Sequence, residues 1–248
     1  MTIPFESSSR YYDLLYQDKD TTSEVNYLVS LLERHGLNCS QLLEFGSGTG
    51  RHGSLLAERG YSVHGLERSS SMVASAKNVP GFSCQQGDIT STQLNRQFDA
   101  VLSLFHVLSY QISNSAVQAV FVNAARHLNS GGLFLFDVWY SPAVAFQRPD
   151  IRVKRINSDE ICITRISEPT LYPNENRVDV HFTVFAQDIP NGSFNTFEEI
   201  HPMRHFSLPE LDLFAEGAGF ERLIAEEWMT SRPPSEATWG LCLVLRKQ

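Results

Sequence analysis

The stretch "LLEFGSGTGRHG", Leu42 to Gly53, places Gly46, Gly48 and Gly50 among Ser and Thr directly after a short apolar run, with Glu44 two places before the first glycine. An apolar strand, a bare turn and a following helix make the entrance to a ligand crevice in an open α/β sheet. A phosphate-gripping loop would carry a lysine after its glycines, and none follows here. A dinucleotide turn would want glycine where Arg51 stands, so G-x-G-x-G misses that pattern by one position. A carboxylate beside the turn disfavours a pyrophosphate and suits an ammonium group. The alternative is a tight strand-to-helix turn that binds nothing.

Outward from this stretch, helix and strand signals alternate. "TTSEVNYLVSLLERHG" (Thr21–Gly36) has hydroxyl caps, Val25, Leu28, Val29 and Leu32 at helical spacing, and Gly36 as a stop. "QLLEF" fits a buried strand, followed by the glycine turn and a helix around Ser54–Arg59. Tyr61–Leu66 is a second strand, and Ser69 caps a helix carrying Met72 and Val73. "GFSCQQGD" and "FDAVLSLF" are the third and fourth strands. A helix after Asn114, ended by Gly131–Gly132, leads to a fifth strand, "LFLFDVW". Apolar strands separated by helices imply a parallel sheet covered on both faces.

After about Asp150 the pattern changes. "RVKRI", "EICITRIS", "RVDVHFTVFAQD" and "SFNTFEEIHPMRHF" are β-rich, joined by the turns "YPNEN" and "IPNGS", with no helix between them. They should pair antiparallel. "SLPELDLFAEGAGF", with Ser207 as N-cap, resumes the α/β pattern, and "ERLIAEEWM" and "WGLCLVLRK" supply two more strands. The expected fold is a Rossmann-like, doubly wound, seven-stranded α/β sheet with an antiparallel β insertion after the fifth strand. The core is expected over residues 1–149 and 207–248, and the insertion over 150–206.

The chain has 248 residues, 42% hydrophobic and 19% charged, enough for a real core. Its net charge of −8 argues against a general nucleic-acid binder. The four cysteines are scattered without a Cys-x-x-Cys pair, which favours reduced thiols over metal ligands or bridges. No stretch reads as a leader or a membrane span, so the cytoplasm is the expected location.

Two acids narrow the ligand. Glu67 ends the second strand, where it can accept from both hydroxyls of a ribose, and Asp88 in "QGDI" ends the third, where it can accept from an adenine amino group. Each has a plainer reading as a helix-capping acid. Together with Glu44 they outline S-adenosylmethionine, which has adenosine and an ammonium group but no phosphate.

These motifs resemble the class I S-adenosylmethionine-dependent methyltransferases over most of the chain: "LLEFGSGTG", "VHGLERS", "QGDI" and "HLNSGGLFLFD". A closer likeness is to small-molecule methyltransferases acting on nucleotide-linked amino sugars, through "YDLLY" (Tyr12–Tyr16) and the β insertion. The resemblance implies S-adenosyl-L-methionine as cofactor and S-adenosyl-L-homocysteine as product. Expected cofactor contacts are Tyr16, Glu44, Gly46, Ser47, Gly48, Gly50, Glu67, Arg68, Met72, Asp88, Ile89 and Leu104. It also implies an insertion that helps build the acceptor site and a homodimer.

An amine acceptor must lose a proton before attack, and His suits that step. His106, in "SLFHVLSYQ", follows the fourth strand at the crevice mouth and is the candidate base, with Tyr16 closing over the site; His52 is the rival. Tyr110, Trp139 and Tyr140 are candidate acceptor walls, the last two having an alternative as anchors of the insertion. Arg152 and Lys154 share a strand face and, with His201, Arg204 and His205 of "HPMRH", are candidates for a diphosphate clamp, the plainer reading being a wet strand face. No metal site is expected, and no partner beyond the small-molecule acceptor and a second copy. Methylation at oxygen, a nicotinamide-dependent oxidoreductase and a non-catalytic cofactor-binding protein are the competing functions.

Overall fold

The computed structural model describes residue 5, residues 8–35 and residues 39–248. Five strands run parallel in the order β3-β2-β1-β4-β5: β1 (Gln41–Phe45), β2 (Ser62–Glu67), β3 (Phe82–Gln86), β4 (Phe98–Ser103) and β5 (Leu128–Tyr140). The direction of winding reverses between β1 and β4, which opens a crevice at their carboxyl ends. The helices are α1 (Tyr12–Leu15), α2 (Thr21–Arg34), α3 (Arg51–Glu58), α4 (Ser70–Ala74), α5 (Asn114–His127), α6 (Ser141–Gln147) and α7 (Leu208–Gly217).

Strand alternation splits the core into two layers. Leu43, Phe45, Phe134 and Phe136 face Val117, Phe121 and Leu211 of α5 and α7. Leu42, Leu133 and Leu135 face Val25, Leu28 and Leu56 of α2 and α3. All of these side chains are fully buried, so truncating any one of the leucines to Ala should cost about 2–5 kcal/mol.

The insertion is a four-stranded antiparallel meander: β6 (Arg152–Asn157), β7 (Ile161–Tyr172), β8 (Arg177–Asp188) and β9 (Phe194–Phe206). It joins the core sheet where β5 runs past the end of β4, through Trp139 beside His205 and Tyr140 beside Phe206. Its inner face, with Ile156, Ile163, Val184 and Ala186, packs on Tyr11 and Leu15 of the N-terminal segment. That segment thereby bridges the insertion and the glycine turn. β10 (Phe220–Glu227) and β11 (Gly240–Lys247) complete the seven-stranded core, order β3-β2-β1-β4-β5-β11-β10.

Several local expectations change. β11 is antiparallel to β5, because β10 and β11 form a hairpin that brings the chain back in the opposite direction. Helix α2 is capped by the Asp20 carboxylate, which accepts from the Ser23 N–H at 2.9 Å, and Gly36 lies outside the described residues. Helix α3 starts at Arg51 with Gly50 as its N-cap, three residues before the expected start. Helix α5 ends at His127 and passes straight into β5, so Gly131 and Gly132 lie inside the strand. His127 closes the helix: its Nε2 accepts from the Leu94 N–H at 2.8 Å, and its Nδ1 lies 2.8 Å from the Asn123 carbonyl. Ser207 caps α7 through a capping box with Glu210, as its spacing suggests.

Candidate active site

The glycine turn needs its glycines. Gly46, Gly48 and Gly50 have φ of 68°, 56° and 76°, a region that L side chains avoid. A Cβ on Gly46 would stand 2.6 Å from a Val107 methyl, whereas one on Gly48 would meet only Met72 Sδ at 3.9 Å. The turn is therefore crowded at its root and open at its tip, a backbone cradle for a ligand. Glu67, at the end of β2, accepts from the Gly48 N–H at 2.9 Å and the Ser69 N–H at 2.8 Å. A carboxylate has about four lone-pair sites, so acceptor capacity remains for a diol.

Asp88 follows β3; its Oδ1 accepts from the Thr90 N–H (2.8 Å) and hydroxyl (2.6 Å), which holds the turn. The Gly87 N–H donates to the Glu67 carbonyl at 2.9 Å and ties the two strand ends together. Ser47 is buried with its hydroxyl 3.2 Å from Cys84 Sγ. Met72, Ile89 and Leu104 are buried, while Arg68 is exposed and offers its carbonyl to Gln86.

Glu44, the carboxylate that the sequence pattern puts beside the turn, ends up well inside the protein. It is 2% exposed beneath the turn, against the first turn of α3. Burial pushes its carboxyl up to about 8, against a lowering hydrogen bond from the Gly53 N–H, and Oε2 has no hydrogen-bond partner. Burial therefore favours the neutral acid over the carboxylate. Beside it, His52 Nδ1 lies 3.9 Å from Glu44 Oε1 and Nε2 lies 2.7 Å from Glu24 Oε2. Burial lowers the His52 pKa despite the Glu24 bond. Glu24 also pairs with Lys19 and accepts from the Trp228 indole N–H at 3.3 Å. Burial opposes its charge, but the His52 and Lys19 contacts prevail and hold its carboxyl at about 2.

His106 sits at the end of β4 in a strained turn: Phe105 and His106 have φ of 61° and 62°. Consecutive left-handed residues that are not glycine each cost about 1–3 kcal/mol and persist where the surroundings impose them. Here Asp137 of β5 does so, its Oδ2 accepting from the His106 backbone N–H at 3.2 Å and lying 2.7 Å from His106 Nδ1, at an angle that makes this a close charge contact and not a hydrogen bond. Trp139 stands on the same strand face, its ring 6.3 Å from the imidazole. Tyr140, on the opposite face, packs on the main core and anchors the insertion.

The N-terminal segment closes the crevice. Asp13 accepts from the Thr49 hydroxyl at 2.9 Å, and the Tyr16 carbonyl accepts from Arg51 at 2.7 Å. The Tyr16 ring packs 5.1 Å from Phe105, beside the His106 turn. A cavity beyond it is lined by Tyr12, Tyr16, Arg165, Phe182, Glu199 and His201. The Tyr110 hydroxyl lies 2.9 Å from His201 Nδ1, and His201 Nε2 lies 3.1 Å from Glu199 Oε2.

The cationic candidates separate. Arg152 is exposed, and Lys154 pairs with Asp18 at 2.7 Å. Arg204 is buried and bound to Asn114, the Ile112 carbonyl and Glu210, and His205 Nδ1 lies 2.8 Å from the Ser141 hydroxyl. Those two groups hold the junction of insertion and core and are not available to a phosphate. Asp137, the acid inside the fifth-strand stretch "LFLFDVW", and Arg165, an arginine at an inward position of an alternating strand, are the notable additions.

The sequence profile of the family described as "Methyltransferase domain" matches residues 42–132, from β1 into β5. A dTDP-3-amino-3,4,6-trideoxy-alpha-D-glucopyranose N,N-dimethyltransferase from Streptomyces venezuelae is 28% identical over 84% of this chain and 87% of its own. A dTDP-4-amino-2,3,4,6-tetradeoxy-D-glucose N,N-dimethyltransferase from Saccharopolyspora spinosa is 27% identical over 90% and 87%. Among solved structures, Streptomyces venezuelae DesVI superposes with a TM-score of 0.82 at 24% identity, covering 97% of this chain and 98% of its own. An amino pentose methyltransferase from Micromonospora echinaspora, with its cofactor bound, gives 0.77 at 22% identity over 100% and 99%.

The chain is an S-adenosylmethionine-dependent methyltransferase. The open cradle at Gly48 and the carboxylate of Glu67 fit the cofactor's adenosine end, and no phosphate-binding lysine stands at the turn.

Proposed function

We propose that this enzyme methylates the amino nitrogen of a nucleotide-linked amino sugar, with His106 as the base and Asp137 as the group that orients it. The observation that carries this reading is the imidazole held on a strained turn by a buried carboxylate, at the carboxyl edge of the sheet and beside Tyr16 and Trp139. The activities of three relatives, all N,N-dimethyltransferases of dTDP-linked amino sugars, support the acceptor class.

The cofactor, when bound, supplies a methyl group on a positively charged sulfur, which is electrophilic without further activation. The chain's own work is therefore placement and proton removal. Placement can contribute several kcal/mol, with about 7–11 as an upper range. With Nδ1 turned to Asp137, His106 presents Nε2 to the ammonium form of the acceptor and takes its proton, and Asp137 stabilises the resulting imidazolium. The freed amine would then take the methyl group in line, the carbon–sulfur bond breaking as the carbon–nitrogen bond forms and S-adenosylhomocysteine leaving as the neutral thioether. Tyr16 and Phe105 exclude water from one side and Trp139 from the other. Glu67 would hold the ribose hydroxyls of the bound cofactor, Asp88 its adenine edge, and Glu44 the amino group of its methionine tail.

In this reading residues 1–149 and 207–248 carry the cofactor and residues 150–206 complete the acceptor site. The outer face of the insertion, with Val153 and Ile200 exposed, is the homodimer contact. The test is methyl transfer from isotope-labelled cofactor to purified dTDP-amino sugars by the wild type and by His106→Ala. Label on the sugar nitrogen in the wild type, with turnover reduced about 10²–10⁴-fold in the variant, supports the reading. Label on oxygen, or equal turnover at saturation, contradicts it.

A further inference from the structure

Lys154 of β6 and Arg165 of β7 stand directly opposite each other in the antiparallel register. Like charges in that position repel, and a fold retains them where something else compensates. Lys154 has part of its compensation in Asp18, an exposed carboxylate. Arg165 has less. One Nη donates to the Tyr16 hydroxyl at 3.1 Å, and its Nε–H is buried with no hydrogen-bond partner. The guanidinium carbon lies 4.7 Å from the Phe182 ring centre and 5.5 Å from that of Tyr16, so two aromatic faces fix the fork in place.

Arg165 lines the cavity next to Tyr16, and Lys154 Nζ lies 5.9 Å from the same Tyr16 ring. Along the same strand face, the next cross-strand pair is Arg152 and Ser167, a third cation and a hydroxyl. The opposing charge in the cavity is Glu199. Its carboxylate accepts from the Ser8 N–H (2.9 Å) and hydroxyl (2.7 Å) and lies beside His201, which turns it towards the N-terminal segment.

We infer that Arg165, backed by Lys154, binds the diphosphate of the acceptor, with Arg152 and Ser167 at the outer end of the same stripe. This rests on the nucleotide-linked acceptor proposed above. A guanidinium fork with an unpartnered Nε–H matches phosphate oxygens, and an anion between the two side chains removes their repulsion. Because Arg165 also donates to the Tyr16 hydroxyl, the phosphate contact and the residue closing the methyl-transfer site share one guanidinium. An acceptor without the anion would leave Tyr16 less well fixed.

The test is calorimetric titration of dTDP into protein saturated with S-adenosylhomocysteine. Arg165→Ala should weaken dTDP about tenfold or more, the loss of a charge-assisted contact. Lys154→Ala should weaken it several-fold. Arg155→Ala removes the same charge from the opposite face of β6 and should change affinity by no more than about twofold. Thermal melts check that each variant is folded; should Arg165→Ala fail to fold, Arg165→Gln and Lys154→Ala carry the test. Equal dTDP affinity for the Arg165 and Arg155 variants, or no dTDP binding by the wild type, overturns the inference. Methyl transfer to a dTDP-amino sugar with an unchanged KM in Arg165→Ala would sink the diphosphate site and leave the proposed function standing. Arg165-dependent dTDP binding without methyl transfer would do the reverse.

Discussion

Replacing Glu44 with Gln should stabilise this protein, and by an amount that grows with pH. The carboxyl is 2% exposed and raised by burial from an ordinary 4.5 to about 8. A group whose folded pKa lies above its unfolded value contributes stability that is complete below the unfolded pKa and lost as pH rises towards the folded one. Between 4.5 and 8 the unfolded chain sheds the proton while the folded chain keeps it. At about 1.4 kcal/mol per unit, the cost is roughly 1 kcal/mol at pH 5, about 3 at pH 7 and approaches about 5 at pH 9. Gln at this position cannot ionise and retains a carbonyl for the Gly53 N–H. Urea melts at those three pH values should show the gap between variant and wild type widening by about 2 kcal/mol from pH 5 to pH 7. The same group gives a second readout. A carboxyl with a pKa of about 8 is about nine-tenths protonated at pH 7, so docking an ammonium group beside it should expel most of one proton. Titrating S-adenosylhomocysteine in buffers of different ionisation enthalpy measures that release, which should vanish in Glu44→Gln. A stability gap independent of pH, or proton release unchanged in the variant, would refute this assignment of charge.

Three further outcomes follow from other contacts. Asp137→Asn should lower kcat by about 10–100-fold or more and change the affinity for S-adenosylhomocysteine far less, since its carboxylate orients His106 and stabilises its charged form; steady-state kinetics beside calorimetry separate the two. Gly46→Ala combines a left-handed φ with a 2.6 Å approach to Val107 and should cost about 2–4 kcal/mol, whereas Gly60→Ala, at φ 94° with nothing within 4 Å, should lose only the backbone part, about 1–2 kcal/mol; chemical denaturation of the pair compares them. Glu24, held at about 2, contributes stability that is present above its unfolded value of 4.5 and lost as pH falls towards 2, about 3 kcal/mol at most; acid titration of Glu24→Gln should show a shallower loss through that window than the wild type.

What was legible in the sequence is what local pattern encodes. β1 appears where "QLLEF" stands because four consecutive residues are buried on both faces, and Ser69 caps α4 because its hydroxyl reaches the Met72 N–H. The parallel core and the antiparallel pairing of the insertion followed from helix-separated and helix-free β segments. Less legible were features set by distant packing. The end of α5 depends on His127 reaching Leu94, so Gly131–Gly132 was a misleading stop. Glu44 was identified by its spacing, but its burial under α3, and hence its raised pKa, comes from tertiary packing. Arg204 and Arg152 look alike in a strand pattern, yet one is buried at the junction and the other exposed. The pairing of His106 with Asp137 spans two strands, and no window around either residue contains both.

The most direct measurement of the central claim is the mass and methyl position of the product formed from S-adenosylmethionine and a dTDP-linked 3- or 4-amino sugar. One or two methyl groups on the sugar nitrogen, formed by the wild type and suppressed in His106→Ala, is the predicted result. Tight binding of the cofactor with no methylated amino sugar from any member of the panel would contradict it.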